Sequence, residues 1–465
     1  MKSTWLQMLS IITGSLLMSA ALYAESWQIG GTTYLEFSQD TEKNKRYMEN
    51  WSTLLANYGA WEIGLRYEMH LPPQAYSPDT SGQGIYQRRA VYRSDRWQIT
   101  TGNFYGSFGQ GLILAAYENR DLRWDTNIDG FKIATQRTFV DLQLLAGRMR
   151  ALSGKRLNPI YGSELTLHTL QFADIGAALL TMESRSAGEQ TWSSAFSKII
   201  LPYGDLYGEY AIRNMATPLT NGKAFYINAN FFLSKFSIRG EYKNYQQFEL
   251  YDGVIYNNPP TAVKEHQYAL LGRHQHIITP NNEEGYLAEI SWLPAFGYLE
   301  FHYSAAQNSY GKQVWEEIYT HFDLFAPGEW NWTLIGDRQE NLEARYLNAV
   351  LSASTPLFRK LSFKTAFEHQ HATILLTERM YYDQAIMLSV SHSAGLSLAY
   401  LAEWSTDQFS EKKFWHALQV DYKLGTHIDM TFFAGSRREG KVCAGGVCVI
   451  KPEFTGAEMR LSGTF

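Results

Sequence analysis

The sequence predicts an all-β protein, a single antiparallel transmembrane β-barrel of about 22 strands (roughly 16 to 24) behind an N-terminal signal peptide. Three observations carry this prediction: an exported N-terminus, segments in which apolar and polar residues alternate, and tight turns spaced along the chain. The composition agrees. Of the 465 residues, 15% are aromatic and 19% are charged, and only 13 are prolines, which suits folded β-structure rather than disorder.

The N-terminus has the pattern of a secretory signal. Lys2 precedes an apolar run from Leu6 to Leu22, and small residues lead to a cleavage point between Ala24 and Glu25. A retained transmembrane anchor is the alternative, but the run is short and strand-like sequence follows it. We therefore expect a signal peptide over residues 1–24 and one barrel domain over residues 25–465.

Alternation with a period of two recurs along the chain. In the last segment Ala457, Met459 and Leu461 fall on one face of a strand, and Glu458 and Arg460 fall on the other. A soluble sandwich also alternates, but its apolar faces must share one core of limited size. In a membrane barrel the apolar face meets lipid, the polar face lines a watery lumen, and closure satisfies the backbone. The same alternation is visible near Trp61–Met69, Phe236–Lys243, Leu299–Tyr303, Lys360–Glu368 and Phe414–Lys423.

Aromatic residues at segment ends fit the interfacial girdles of such a barrel. They are Trp27, Trp61, Trp97, Trp292, Trp404 and Phe465.

Ten short connections imply twenty strands, and two terminal strands bring the count to about 22. The uncharged stretch Gln384–Ala402 is predicted to be a hairpin rather than a transmembrane helix, because its apolar residues alternate on both sides of Ser393–Gly395. Longer connections are expected on the other side of the membrane. They are Leu71–Gly84, Tyr105–Asn127, Arg150–Tyr161, Glu249–Glu284, Asn308–Gln339 and Glu439–Glu453.

Charge and motifs exclude several classes of function. The 41 basic and 46 acidic residues give a formal charge of -5, so we expect no nucleic-acid partner. A Walker-type loop, a CxxC pair and an HExxH helix are missing from the sequence, which weakens an enzyme assignment. We predict neither a catalytic residue nor a cofactor.

Two stretches and the C-terminus carry a resemblance. The chain ends Met459-Arg460-Leu461-Ser462-Gly463-Thr464-Phe465, and Gly102–Gly130 and Gly440–Cys448 are more particular. The C-terminal segment resembles the closing strand of bacterial outer-membrane barrels. The other two stretches resemble an uncharacterised family of porin-like outer-membrane β-barrel proteins from Bacteroidetes-like bacteria. The resemblance implies the outer membrane of a Gram-negative-type bacterium, contact with its lipid, and Phe465 as part of the closing signal that the barrel-assembly machinery reads.

The Gly102–Gly130 segment is the first candidate site. Its glycines permit close backbone approach, and charges follow them, so the segment can fold inward as a constriction that selects solutes. An outer loop with internal ion pairs is the alternative. The charged candidates are Glu118, Arg120, Arg123, Asp125 and Asp129.

Inward-facing charges on strands are the second candidate set. Arg66, Glu68, Arg239 and Glu241 mix both signs, so no strong ion preference follows. They line a channel if the lumen is open, or brace a structural barrel if they bridge a narrow lumen.

Cysteines and histidines give weaker signals. Cys443 and Cys448 lie in one Gly-rich loop and are candidates for a small disulfide in an oxidising compartment, with two unpaired thiols as the alternative. His266, His274 and His276 lie in a long connection, and without a matching ligand framework we expect ordinary polar residues and no metal site.

The leading functional hypothesis is a porin-like channel for small hydrophilic solutes. A nonconducting barrel that has a structural or assembly role, or anchors a surface component, is the alternative, and an outer-membrane enzyme is the third candidate.

Overall fold

The structure is a computed structural model that describes residues 27–72, 82–120, 122, 124–150, 156–184, 188–215, 221–249, 256–444 and 447–465. The predicted signal peptide lies outside the described residues. No helix in these ranges is long and apolar enough to cross a bilayer.

Twenty-four antiparallel strands form one sheet that closes on itself. Its strands follow one another in chain order, and the last strand pairs with the first. This confirms the all-β barrel, and 24 strands lie within the expected range. The barrel strands are β1 (Gln28–Asp40), β2 (Lys45–Tyr58), β3 (Trp61–Leu71), β4 (Gln83–Arg93), β5 (Gln98–Phe104), β10 (Ile128–Gln136), β11 (Val140–Arg150), β12 (Arg156–Leu170), β13 (Ala173–Ser184), β14 (Gly188–Leu201), β15 (Gly204–Met215), β16 (Gly222–Leu233), β17 (Phe236–Gln246), β18 (Asn282–Trp292), β19 (Gly297–Gln307), β20 (Gln313–Ala326), β21 (Trp330–Asn341), β22 (Ala344–Phe358), β23 (Leu361–Ile374), β24 (Arg379–His392), β25 (Leu396–Ser405), β26 (Phe414–Leu424), β27 (Ile428–Arg437) and β30 (Phe454–Thr464).

The remaining elements are inserted between barrel strands. Four short strands follow β5, one short helix precedes β18, and one hairpin precedes β30. They are β6 (Gly106–Phe108), β7 (Leu114–Ala116), β8 (Glu118–Asn119), β9 (Trp124–Asp125), α1 (Ala269–Gly272), β28 (Gly440–Ala444) and β29 (Val447–Lys451).

The first and last strands close the barrel over nine register pairs, from Thr32 with Thr464 to Asp40 with Gly456. The terminal residue extends this ladder, since the Phe465 N–H donates to the Gly31 carbonyl at 3.1 Å and the Phe465 carbonyl accepts from the Gly31 N–H at 2.9 Å. Closure leaves no unpaired edge in this 24-stranded sheet of described residues, and an unpaired edge would be costly in hydrocarbon.

Eleven tight turns lie at one end of the barrel. The first residues of β1 and the last residues of β30 lie at the same end. The predicted hairpin Gln384–Ala402 is confirmed as β24 and β25, and Gly395 takes a φ of +87° in its turn. The predicted long connection Asn308–Gln339 is wrong. It contains β20, β21 and a turn at residues 327–329, in which Gly328 and Glu329 have positive φ.

The outer face of the barrel is apolar. On β22, Leu347 and Leu351 are exposed on the outside, whereas Asn348, Val350 and Ser352 alternate with them and are buried on the inside. The same arrangement on the other strands gives a continuous surface of large apolar side chains that matches a lipid environment.

Aromatic residues cluster at the end of the barrel that carries the tight turns. Trp27 stacks on Tyr58 with ring centroids 5.0 Å apart, and Trp292 stacks on Phe236 at 5.8 Å. These rings fit the boundary between the apolar and wet layers.

Candidate functional site

Two long connections enter the barrel instead of leaving it. We call residues 105–127 the first lumenal segment and residues 256–281 the second lumenal segment; positions 121 and 123 lie outside the described residues. Both contact inward-facing side chains of the wall, toward the end opposite the tight turns. They form the candidate functional site.

Buried ion pairs attach the first lumenal segment to the wall. Arg66 on β3 pairs with Glu118, and Arg150 at the end of β11 places Nη1 2.8 Å from Asp125 Oδ2. The second guanidinium nitrogen of Arg150 lies 3.1 Å from Glu68 Oε2. Four of the predicted charged residues therefore meet in one network, together with an arginine that the sequence did not single out.

Tyr105 completes this network. Its hydroxyl donates to Asp125 Oδ1 at 3.1 Å and accepts from Gln87 Nε2 at 2.9 Å. Burial, with the neighbouring carboxylates of Asp125 and Glu118, raises the pKa of the Tyr105 phenol. The phenol therefore stays neutral and remains a donor.

The glycines allow the first lumenal segment to approach the wall closely. The Gly109 N–H donates to Glu164 Oε2 at 2.6 Å, and the Gln110 N–H donates to Glu209 Oε2 at 3.0 Å. Gly109 has a φ of +53°, and a Cβ there would lie 2.5 Å from the Glu209 carboxylate. Only glycine fits this position without a shift.

Apolar packing also holds the first lumenal segment. Phe108, Leu112, Ile113 and Leu114 are fully buried and belong to a cluster that includes Trp192 of the wall. This cluster fills the lumen beside β11–β17.

The second lumenal segment contacts the opposite part of the wall. Arg273 makes a bidentate pair with Glu403 on β25, with both N–O distances 2.8 Å. Glu368 on β23 accepts from two backbone N–H groups of α1, those of Ala269 at 3.2 Å and Leu270 at 2.8 Å. Nearer the start of the segment, His266 Nε2 lies 2.6 Å from Glu317 Oε1 on β20.

Backbone hydrogen bonds join the two segments. The Ala115 N–H donates to the Tyr256 carbonyl at 2.8 Å, and the Asn258 N–H donates to the Gly111 carbonyl at 3.1 Å. The segments therefore make one layer across the lumen.

Two cavities border this layer. The polar vestibule, about 360 Å³, lies toward the tight turns, and the side cavity, about 520 Å³, lies between the second lumenal segment and β23–β27. Residues lining the vestibule include Gln110, Lys198, Asp205, Tyr207, Asn230 and Arg239. Residues lining the side cavity include Tyr268, Arg273, Glu368, Glu403, Trp415 and Arg438.

The other predicted residues are more scattered. Arg120 lies 3.3 Å from Glu118, and Arg239 pairs with the buried Glu241 on the inner face of β17. Asp129 does not face the lumen, because it lies on the outer face of β10 together with the exposed Phe131. Arg123 lies outside the described residues.

The backbone of the β28–β29 hairpin places Cys443 directly opposite Cys448. The side chains of both residues lie outside the described part of the chain, so the disulfide stays a prediction.

Sequence reasoning missed how the second lumenal segment is attached. The signal was an apolar pair, Leu270 and Leu271, inside a long connection that also carries Lys264, His266 and Arg273. An outward loop gives such an apolar pair nothing to bury against, whereas here Leu271 packs with wall residues on β20–β22.

One sequence family matches this chain. Its description is "Family of unknown function (DUF6029)", and the match covers residues 11–297, more than half of the chain. The chain belongs to this family. No curated protein matches it significantly.

Solved outer-membrane pores share the fold of this DUF6029 protein. The P pilus usher (PapC) translocation pore matches with a TM-score of 0.53 at 10% identity, over 94% of this chain and 99% of that one. A chain of the E. coli P pilus tip assembly intermediate PapC-PapD-PapK-PapG matches with a TM-score of 0.58 at 10% identity, over 94% of this chain and 60% of that one. OpdO of Pseudomonas aeruginosa, at 10% identity over 81% of this chain and 98% of that one, has a TM-score of only 0.41.

The fold and the apolar outer face together establish the location. A closed 24-stranded antiparallel barrel with large apolar side chains facing outward is an outer-membrane protein of a Gram-negative-type bacterium. Its outer face contacts membrane lipid.

Proposed function

We propose that the protein is a porin-like channel for small hydrophilic solutes, narrowed by the two lumenal segments. The observation that carries this proposal is the polar vestibule, a water-accessible space inside the barrel that reaches Gln110 of the first lumenal segment. The side cavity is a second space inside the barrel, and it is lined in part by residues of the second lumenal segment. Water-accessible space beside both lumenal segments favours a channel over an enzyme.

Mixed charge favours selection by size over selection by sign. The vestibule presents Lys198 and Arg239 together with Asp205, and the ion pairs of the first lumenal segment are balanced. A path past these groups meets both signs at short range, so a small neutral or zwitterionic solute experiences little net field.

Uptake of neutral sugars of increasing size into proteoliposomes tests the channel. We expect monosaccharides to enter faster than disaccharides and trisaccharides to be excluded. Glu118→Gln weakens a contact of the first lumenal segment and should speed uptake, whereas Glu340→Gln, on the outside of the barrel, should not. Exclusion of every sugar by correctly folded wild-type protein would contradict the proposal.

One observation favours a nonconducting barrel as the second candidate. The first lumenal segment buries Phe108, Leu112, Ile113 and Leu114 completely, which is more apolar contact than a loose constriction needs. Such a barrel would have a structural or anchoring role. Crosslinking in the membrane would then capture envelope partners, and the sugar-uptake experiment would show no uptake.

Three further expectations accompany the proposal. We infer that the segment before the barrel is a cleaved signal peptide and that the barrel-assembly machinery reads the closing strand with Phe465. The resemblance supports a source among Bacteroidetes-like bacteria. Cleavage before Glu25, measured by mass spectrometry of the membrane-inserted protein, tests the first of these.

A further inference from the structure

The second lumenal segment meets the wall at a cluster of metal-ligating groups. His266, Glu317 on β20 and Asp337 on β21 each offer one ligand atom, and these atoms lie within 4.8 Å of one another. The Glu317 side chain is fully buried, that of His266 is nearly so, and Asp337 is 6% exposed. The three residues come from three separate parts of the chain.

Asp337 has an oxygen without a partner. Its Oδ2 accepts from Asn348 Nδ2 at 2.7 Å, but its Oδ1 is buried, and among the described residues no side-chain or backbone donor reaches it when the group is ionised. A buried carboxylate oxygen without a donor is costly. A cation bound between Asp337 and Glu317 would remove that cost.

The local charge also favours a cation. Inward-facing carboxylates on β18–β21 include Glu289, Glu300, Glu317 and Asp337, together with Glu283 and Asp323. Lys264 pairs with the first two. Among the described residues no lysine or arginine pairs with Glu317 or Asp337. Glu317 has the imidazoles of His266 and His302 at ion-pair range and accepts hydrogen bonds from the neutral groups of Gln339 and Ser304.

We propose that His266, Glu317 and Asp337 bind a first-row divalent transition-metal ion of the Zn²⁺ class. An imidazole with two carboxylates is a donor set for such ions, whereas Ca²⁺ and Mg²⁺ prefer oxygen ligands alone. Bound at 2.0–2.2 Å, a tetrahedral ion needs ligand atoms about 3.3 Å apart. The candidate ligand atoms, which lie within 4.8 Å of one another, would therefore have to come closer by up to about 1.5 Å when the ion binds.

His302 stands beside the proposed site. It is fully buried, and its Nε2 lies 3.2 Å from Glu317 Oε2. It is therefore close enough to the Glu317 carboxylate to hold it once the ion is bound, as partners of metal ligands commonly do.

The ion would link the lumenal layer to the barrel wall. His266 belongs to the second lumenal segment, whereas the two carboxylates belong to barrel strands, so one ion joins the two parts. This consequence does not depend on whether the lumen conducts.

Zn²⁺ titration of the detergent-folded protein by calorimetry tests the site. We expect one saturable ion per chain, with binding weakened at least about 100-fold in Asp337→Asn and Glu317→Gln, since even partners of metal ligands contribute 10–100-fold. His266→Phe should behave likewise while keeping the ring contact with Tyr319. The control is His274→Phe, which keeps the stack on Tyr346 and lies outside the site.

Zinc-edge X-ray absorption identifies the ligands of the bound ion in the wild-type protein. It therefore tests the site even where a variant does not fold. We expect scattering from one imidazole and from oxygen ligands at 2.0–2.2 Å. Absence of saturable binding, an ion without imidazole scattering, or equal affinity in all folded variants would overturn the proposal. Equal loss in the His274→Phe control would also overturn it.

Discussion

Asp125 of the first lumenal segment accepts a hydrogen bond of 2.8 Å from Arg150 at the end of β11, and both side chains are almost completely buried. The same guanidinium reaches Glu68 on β3. Arg150 therefore ties an inserted segment to two separate strands of the barrel wall.

Arg150→Ala should destabilise the folded barrel by about 3–5 kcal/mol, because it leaves the buried Asp125 carboxylate without its cation, while Glu68 keeps Arg66 at 3.2 Å. Denaturant titration of vesicle-inserted protein measures this. The control is Arg345→Ala, which removes a half-exposed pair with Glu340 and should cost about 0–1 kcal/mol. Equal effects of the two substitutions would contradict the buried network.

A charge on the outer face should be costly only at the centre of the membrane. Leu351 lies at the middle of β22, and Leu357 lies near its tight-turn end; both are exposed on the outside. Leu351→Arg should therefore destabilise by about 2–4 kcal/mol and Leu357→Arg by about 0–1 kcal/mol. Denaturant titration in vesicles compares the free energies of unfolding of the two variants. A larger loss at position 357 would contradict this position of the bilayer around the barrel.

Gly102 is a position where a side chain cannot fit. Its φ is +88°, and a Cβ would lie 2.1 Å from the Arg88 carbonyl oxygen. Gly102→Ala should destabilise by about 1–3 kcal/mol or more. Gly208→Ala is the matched control, since a Cβ at position 208 meets nothing within 4 Å. Indistinguishable thermal unfolding of the two variants would refute the backbone geometry at Gly102.

The pair of Arg273 with Glu403 should hold the second lumenal segment in place. Arg273→Ala and Glu403→Ala should each speed proteolysis of this segment, and the double variant should be little faster than either one. The coupling expected for such neighbours is about 0.5–3 kcal/mol. Purely additive effects on the cleavage rate would show that the pair contributes nothing to the attachment.

The barrel was predictable from sequence because lipid imposes a local rule. Leu347 and Leu351 must alternate with Asn348 wherever one face meets hydrocarbon, and such alternation is visible within a few residues. The strands β20 and β21 escaped because their inner faces carry Trp315, Tyr319 and Ile335. Tyr319 and Ile335 belong to one buried cluster with Leu271 of the second lumenal segment. Both faces of these strands are therefore partly apolar in the sequence, and the alternation is hidden.

The lumenal site was predictable only in part. The glycines and charges of Gly102–Gly130 indicated a segment that can turn inward, and Glu118 and Asp125 lie in the lumen. The pairing of wall and segment residues was not predictable. Arg66 is 52 residues from its partner Glu118, and in the second lumenal segment Arg273 is 130 residues from its partner Glu403. No local pattern records contacts over such separations.

Planar-bilayer conductance tests most directly the claim that the two segments lie inside and narrow the lumen. The comparison is between wild-type protein and a variant in which residues 257–280 are replaced by a short Gly-Ser linker, both verified as folded barrels. We predict a small conductance for the wild type and one several-fold larger for the variant. Equal conductance of the two proteins would contradict a lumen narrowed by the second lumenal segment.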